Sequence, residues 1–563
     1  MINILDKKIL IILESPSKMK TISTILKKIN VTNFKIIPTM GHIKDLPKNS
    51  FGLKIEKDRV IPTFVFLPNK KKIVQQIARF INDYNYVILA TDPDREGEAI
   101  SFHVYTELAK ISSNIVFKRA FVNEITYQGV LRGLQNLGNI NYSMVESQIT
   151  RRIIDRIIGY KISPILWKKF RIRGLSAGRV QTATLKILTD REIEIQEFKP
   201  QKYFYIKLKF KIDDNVLESP IYRADQILRI FDEKDLNVFK SNFLKKVMNK
   251  KFRFDISNIE RSIIPPDPLK TSTLQQEAAK IGINNTETMK IAQKLYEGVV
   301  IDGEEIGLIT YHRTDSTRIS EYGMELAKKI IGKIVVHARR NKSIFDAHEA
   351  IRITTTKPLP TIRKYLNEKE YKVYELIYKR FLASLSPACK YIHQQITSYL
   401  DSDLYIKYEA AKILDKGFLK IIPEYIEKYK VFKSEFIEST DRYLEIIDYE
   451  IVEDCTKPPP RYTLASIVKK MEEVGIGRPS TYAPTIEILK KRKYIEIRKG
   501  VIYVTNLGKK VIEFLFSKYS DLLNVEFTSM LESILDEIEG SNYSDAKRIS
   551  FEKIIQVYRT LEN

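Results

Sequence analysis

Tyr86-Val87-Ile88-Leu89-Ala90-Thr91-Asp92-Pro93-Asp94-Arg95-Glu96-Gly97-Glu98-Ala99-Ile100 decides how the N-terminal part of this chain is read. Tyr86 to Ala90 is a short apolar, β-branched run, the pattern of a buried strand, and Ala99 to Lys110 has helical spacing without a breaker. Asp92, Asp94 and Glu96 therefore fall at a strand end and alternate along the turn into a helix. Like charges held this close disfavour joint ionisation. A hard divalent cation removes the repulsion, and Mg2+ accepts oxygen ligands with little protein caging. A solvated acidic turn at a helix start is the plainer alternative. From this stretch alone both readings stand.

Working outward, residues up to about 140 alternate strand-like and helical runs, as in an α/β unit with a largely parallel sheet. Ile9 to Leu13 is the expected first strand, ending in Glu14-Ser15-Pro16-Ser17-Lys18, with a helix from about Met19. Glu14 then sits at the carboxyl end of a strand, where α/β sheets place ligands. Asp92, Asp94 and Glu96 share that edge if the two strands are parallel, and a fourth carboxylate strengthens the metal reading. His42, in the loop Gly41 to Pro47, reads first as a surface hydrogen-bonding residue.

A chain of 563 residues is too long for one hydrophobic core, so several domains are expected. Its 44% hydrophobic and 29% charged residues are ordinary for a soluble protein. The net charge of +24 is not, and it points to a polyanionic partner, nucleic acid first. No apolar run approaches a membrane span. Five apolar residues after Lys7-Lys8 are too few for a signal-peptide core. Cys389 and Cys455 are the two cysteines, which rules out a disulfide framework or zinc ribbon within this chain and fits a reducing compartment. With no Gly-Lys pair followed by Ser or Thr there is no Walker A loop, so DNA chemistry here is expected to run without ATP.

Beyond residue 140, Asn141 to Arg156 reads as a basic amphipathic helix with Arg151, Arg152 and Arg156 among isoleucines. Gly174-Leu175-Ser176-Ala177-Gly178-Arg179-Val180-Gln181 follows, where small residues at a helix start bring backbone amides and a guanidinium close to phosphate. Each basic residue alone also reads as a solvated face. Residues 201–264 and 389–457 are β-rich and architectural. Between and after them runs an internal echo. Pro265-Pro266 precedes a helix, Gly282 and a second helix to Leu295; Pro458-Pro459 precedes Leu464 to Val474, Gly475 and a helix from Thr481 to Lys491. The copies are expected to end in strand pieces at Gly307 to Tyr311 and Tyr494 to Val504, the pattern of winged helix-turn-helix units facing DNA.

Inside the first unit lies Gly307-Leu308-Ile309-Thr310-Tyr311-His312-Arg313-Thr314-Asp315-Ser316-Thr317-Arg318. A phenol titrates near 10 and needs activation to act as a nucleophile, and Arg313 has the fork geometry to clamp a phosphate. With 31 tyrosines in the chain, composition alone does not single Tyr311 out.

These residues resemble the type IA DNA topoisomerases. The motifs occur in family order: Glu14 to Lys18, Gly41 to Pro47, Thr91 to Ile100, Asn123 to Thr126, Asp155 to Trp167, Leu175 to Gln181, Thr271 to Gln276, Thr310 to Ser320, Ala347 to Arg352 and Gly475 to Tyr482. Thr-Tyr-x-Arg-Thr-Asp-Ser favours the topoisomerase I branch over topoisomerase III or reverse gyrase.

The resemblance implies a multidomain chain mixing α/β, α and β parts. A Toprim α/β domain (1–140) joins a toroidal core of two helical, winged-helix-like domains (141–200 with 458–563, and 265–388) and a β-rich arch (201–264 with 389–457). It implies ATP-independent relaxation of negatively supercoiled DNA through a 5′-phosphotyrosine, strand passage and religation, with a topoisomerase III-like decatenase as the alternative. Tyr311 matches the nucleophile, Arg313 its phosphate partner, Glu14 the residue handling the leaving oxygen's proton, and Lys18 the lysine beside the scissile phosphate. His348 matches a histidine of the active-site network. Glu14, Asp92, Asp94 and Glu96 match the Mg2+ carboxylates. His42, Arg151, Arg152, Asp155, Tyr160, Trp167, Arg492 and the segment Ser176, Ala177, Gly178, Arg179, Val180 and Gln181 match the single-strand DNA track. The implied partner is DNA with a single-stranded region, bound by a cytoplasmic, nucleoid-associated monomer that uses no membrane, zinc or ATP. Two departures stand out: His312 replaces the family's usual apolar residue, and the usual C-terminal zinc ribbons are expected to be missing after Asn563. A Toprim nuclease or primase would have no need of Tyr311. A non-catalytic scaffold would have no need of Glu14, Tyr311, Arg313 and the three acids together.

Overall fold

The computed structural model describes residues 7–57, 59–112, 115–337, 348–439 and 441–562. Ala347, the first residue of the His348 motif, lies outside them.

The N-terminal unit is built from β1 (Ile9–Leu13), α1 (Pro16–Lys28), β2 (Phe34–Pro38), α2 (Lys70–Phe80), β3 (Tyr86–Leu89), α3 (Arg95–Leu108), β4 (Val116–Arg119) and α4 (Tyr127–Gln135). Its sheet runs β2-β1-β3-β4, with every pair parallel. All five residues of β1 are buried, as expected of a strand covered on both faces. Alternation sends Leu10, Ile12, Val87 and Leu89 to one face, against Val74, Ile77, Val104 and Leu108. Ile9, Ile11, Leu13 and Ile88 go to the other, where the core runs on without a break into Leu274, Leu295, Leu308, Ile309 and Tyr311. The sheet and the tyrosine-bearing helices thus share one apolar core.

His103 on α3 stands edge-on to Phe64, ring centroids 4.7 Å apart. Burial first, then His42 and Lys44, hold its pKa down at about 4. An unfolded histidine titrates near 6.5, so on acidification the unfolded chain takes up this proton first. The stability contributed by neutral His103 is complete above the unfolded pKa and is lost as pH falls toward 4. Urea midpoints should therefore drop between about pH 7 and about pH 4.5 by less in His103→Phe than in the parent chain; equal drops would remove His103 from the account.

Downstream come α5 (Tyr142–Phe170), α6 (Arg179–Glu197), β5 (Lys202–Ile212), β6 (Asn215–Arg223), β7 (Lys251–Arg253) and β8 (Asp255–Ile263). Next are α7 (Thr271–Lys280), α8 (Asn285–Glu297), β9 (Val299–Ile301), β10 (Glu304–Ile306), α9 (Glu368–Ser384), β11 (Cys389–Tyr399), β12 (Tyr405–Asp415) and β13 (Tyr443–Cys455). The chain ends in α10 (Leu464–Glu473), α11 (Tyr482–Lys491), β14 (Ile495–Arg498), β15 (Val501–Val504), α12 (Asn506–Leu523), α13 (Val525–Gly540) and α14 (Tyr543–Glu562). Helices α5, α6 and α10 to α12 pack around Ile157, Ile158, Leu166, Leu185, Ile467, Leu489 and Leu515.

The antiparallel sheet runs β7-β13-β5-β6-β12-β11-β8. Its two ends, β7 and β8, are separated in the chain by the buried Phe254 alone, so the sheet curls back on itself. Strand β8 leads into residues 265–388 and β11 leads out of them. The two pair continuously from Asp255↔Thr397 to Ile263↔Cys389, so the excursion leaves and re-enters through neighbouring strands at the edge of the sheet.

The internal echo is real in outline. Gly282 and Gly475 take left-handed φ values of 84° and 74° between α7 and α8 and between α10 and α11, a region open to glycine without steric cost. Both copies end in a hairpin, β9–β10 and β14–β15. The first hairpin falls at 299–306, not at Gly307 to Tyr311 as the echo predicts. Asp302 and Gly303, both at positive φ, make the tight turn there. Residues 307–311 instead run as an extended segment bridged at Ile309 to Ile353.

Candidate active site at the carboxyl edge of the parallel sheet

The acidic turn follows β3 directly. Asp94 caps α3, its Oδ1 accepting from the Gly97 amide at 2.8 Å. A Cβ on Gly97 would lie 2.1 Å from the Asp92 carbonyl oxygen, so only glycine lets the helix start this close to the strand end. Arg119 locks the turn from beneath. Fully buried at the end of β4, it donates to the carbonyls of Leu89 (2.9 Å), Thr91 (3.1 Å) and Asp92 (2.7 Å), and to Glu98 Oε2 at 2.8 Å.

Tyr311 is brought to this edge by backbone pairing. Its amide donates to the Asn123 carbonyl at 2.7 Å, and its hydroxyl donates to Asp94 Oδ2 at 2.6 Å. The ring packs edge-on against Tyr296 at 5.2 Å, whose own hydroxyl is anchored on the Val122 carbonyl. Arg313 Nη1 lies 3.3 Å from Glu96 and 3.7 Å from Asp94, while His42 Nε2 lies 3.4 Å from Glu96. The His348 ring stands 6.1 Å from that of Tyr311, with Nε2 on the Pro93 carbonyl. His312 is buried beside Tyr311 with Nδ1 unpartnered, and burial holds its pKa well below the usual range. Glu14, Lys18, His42, Asp94, Glu96, Tyr311, Arg313 and His348 therefore surround one locus.

Burial, then Asp94, push the Tyr311 phenol well above its ordinary pKa. Glu14 is raised to about 6, first by burial and then by Asp94 and Glu96, against Lys18 and Arg313. Burial lowers Lys18 to about 8, even with Glu14, Glu297 and Asp94 nearby. Glu96 goes the other way, held down at about 2 by His42 and Arg313.

Three of the four expected metal carboxylates are met by other groups of this chain. Among the described residues, no three His, Cys, Asp or Glu side chains form a ligand set. The reason is that this chain's own groups neutralise them: Asp92 pairs with Lys18 at full burial, Asp94 serves Gly97 and Tyr311, and Glu96 meets His42 and Arg313. Lys18 is accordingly not a free cation. Mg2+ itself needs only one or two carboxylates and keeps several waters. Glu14, paired with Asp94 or Glu96, fits such an open site: all are oxygen donors, and Glu14 Oε2 is buried and without a hydrogen-bond partner.

A second group gathers around Ser176. Its amide donates to the Tyr494 hydroxyl at 3.0 Å, and Arg492 Nε donates to its hydroxyl at 3.1 Å. Gln181 Nε2 donates to the Ser176 carbonyl, and Trp167 Nε1 to that of Leu175. Trp167 and Tyr160 both expose about two-fifths of their surface, at 40% and 41%. Other expected track residues are placed differently. Arg152 is spent on Asp45 in a two-pronged bond, both contacts 2.7 Å. Arg151 lies beside Asp155. Ala177, Arg179 and Val180 are buried, and Gly178 serves as the N-cap of α6. The Arg179 guanidinium points inward to Glu532 and Asp155 and does not line a surface.

Sequence reasoning missed Arg119 and Tyr296. A charged residue closing the β4 run, Arg119, was the legible signal of the two.

A carboxylate-bearing sheet edge closed over a buried tyrosine, with an arginine at its side, has the parts to move a phosphodiester bond onto a phenol. Family models for "DNA topoisomerase" and "Toprim domain" match residues 139–550 and 9–125. DNA topoisomerase 1 of Campylobacter jejuni is 40% identical over 551 residues, covering 94% of this chain and 76% of that protein. DNA topoisomerase 1 of Thermotoga maritima is 40% identical over 554 residues, covering 95% and 82%. The solved full-length topoisomerase I from Thermotoga maritima superposes with a TM-score of 0.84 at 36% identity, covering 98% of this chain and 90% of that one. The chain belongs to the type IA DNA topoisomerases, with bacterial topoisomerase I. It is an isomerase that relaxes DNA, and relatives named DNA topoisomerase 1 do not favour the decatenating alternative. Among the described residues no helix is long and apolar enough to cross a membrane.

Proposed function

We propose that Tyr311 is the nucleophile of an ATP-independent, single-strand-cleaving cycle on negatively supercoiled DNA. The carrying observation is the 2.6 Å hydrogen bond from its buried hydroxyl to Asp94. Tyr311 Oη attacks the phosphorus, the P–O3′ bond breaks, and the phosphate stays on the tyrosine as a 5′ ester. Asp94 is the nearest acceptor for the phenolic proton, and Glu14, titrating near neutrality, donates a proton to the departing O3′. Arg313 faces the charge that develops on the phosphoryl oxygens. Resealing is the same path reversed, one ester exchanged for another, so no nucleotide is hydrolysed. Mg2+, when bound, adds charge neutralisation at the phosphate, and Glu14 with Asp94 or Glu96 would hold it. With Tyr311 only 2% exposed, DNA reaches the hydroxyl once the tyrosine-bearing helices part from the sheet edge. Trp167, Tyr160 and Arg492, beside Ser176 and Gln181, supply stacking faces and a cation for the single strand. The setting is a cytoplasmic monomer at the nucleoid.

Supercoiled plasmid with Mg2+ and no ATP should give a ladder of partly relaxed topoisomers. Denaturant added during the reaction should trap protein on a 5′ end. Attachment to a 3′ end, or no ladder under these conditions, would end the proposal.

A further inference from the structure

Helix α13 carries Glu532, Asp536 and Glu539 along one face, and these carboxylates meet arginines from three separate segments. Arg95, the residue after Asp94, pairs with both Asp536 and Glu539. Arg478, in the loop before α11, reaches Asp536 Oδ2 at 2.6 Å and Glu532 Oε2 at 3.9 Å. Arg179, the first residue of α6, reaches Glu532 Oε1 at 2.7 Å and Asp155 at 3.5 Å. The match is electrostatic more than geometric. Arg179 Nε and Nη2 and both Glu532 oxygens are fully buried without an aligned hydrogen bond. Burial raises Glu532, yet Arg179, Arg151 and Arg478 overcome it and hold the group ionised, at about 2. Buried donors left this poorly satisfied are costly.

The rise of a helix spaces Glu532 and Asp536 about 6 Å apart along the axis, the order of one backbone step of an extended nucleic-acid strand. Arginine forks bind phosphate at least as well as carboxylate. In a chain of net charge +24, the guanidinium next to the nucleophile's hydrogen-bond acceptor is thus covered by carboxylates set out like a short run of phosphates. The side chains of Asp536 and Glu539 are 46% and 28% exposed, while that of Glu532 is fully buried. Asp536 and Glu539 are within reach of solvent, so a phosphate can take their place on Arg95 and Arg478, while Glu532 stays anchored.

We propose that Arg95 and Arg478 form a phosphate-binding subsite for single-stranded DNA, and that Asp536 and Glu539 occupy it as a built-in competitor which the strand displaces. The proposal rests on the reading that a single strand is bound beside Tyr311.

Fluorescence anisotropy of a labelled single-stranded oligonucleotide across a salt series tests it, with melting temperatures taken alongside. The double variant Asp536→Asn/Glu539→Gln should bind roughly three- to tenfold tighter than the parent chain. Arg95→Gln should bind more weakly, and its log–log salt slope should be shallower by about 0.7, the signature of one lost phosphate contact to a single strand. A purely structural role for the stripe would give weaker binding with a lower melting temperature. Unchanged or weaker binding by a double variant that melts like the parent chain overturns the proposal, as does an unchanged slope in Arg95→Gln. If the double variant melts early, Glu539→Gln alone, near the C-terminal end of α13, decides: tighter binding supports the competitor and equal binding overturns it. A parent chain that does not bind the oligonucleotide would instead defeat the reading of the site, and this inference with it.

Discussion

Tyr311→Phe is expected to abolish relaxation and the covalent protein–DNA species while leaving single-strand affinity within about twofold. Phenylalanine keeps the ring in its edge-on contact with Tyr296 and in the shared apolar core, so folding is preserved. What goes is the hydroxyl and its bond to Asp94. Hydrogen bonds to charged groups contribute about 1.5–3 kcal/mol each, a loss a chain of this size tolerates. The chemistry has no such reserve: without Oη no ester can form, and relaxation should fall by at least about a thousandfold. Plasmid ladders and denaturant-trapped adducts read this directly. A 5′-linked adduct formed by the variant would assign the nucleophile elsewhere.

The second large effect is structural. Arg119→Leu leaves Glu98 as a buried carboxylate without its cation and strips the carbonyls of Thr91 and Asp92 of the guanidinium that holds the turn. Breaking one side of a buried ion pair costs about 3–5 kcal/mol. For a unit of this size that corresponds to a melting shift on the order of 10 °C. Because the lost bonds hold the turn that carries Asp94, relaxation should fall even below the new melting point. Differential scanning calorimetry together with plasmid assays at low temperature separates the two effects. A variant that melted with the parent chain would show that Arg119 does not lock the turn.

Much of this was legible in residue order. Tyr86 to Ile100 folds as the strand, turn and helix that its apolar run and the helical spacing after it predict, and the shared edge of Glu14 with Asp94 follows from two parallel strands. The glycine turns of the echo came through for the same reason: left-handed backbone leaves a mark in composition. Pairs across long separations leave none. Arg95 meets Asp536 across 441 residues, and Lys18 takes Asp92 out of the acidic group across 74. A list of acidic residues at a strand end cannot tell which carboxylates the chain itself neutralises. Nor does a basic residue in a small-residue loop reveal whether it faces solvent or, like Arg179, the interior. The short helices between Glu233 and Val247 also escaped notice, lying within a stretch whose aromatic and β-branched alternation reads as strand throughout.

Strands β8 and β11 bear on how the site opens. Residues 265–388 leave and re-enter the antiparallel sheet side by side, hydrogen-bonded over nine residue pairs, and β11 is held on its other edge by β12. Both chain connections to the body that carries Tyr311 are therefore neighbours on one broad sheet, like the two screws of a single hinge plate. The parting of Tyr311 from Asp94 that the proposed cycle requires is expected to turn about that edge.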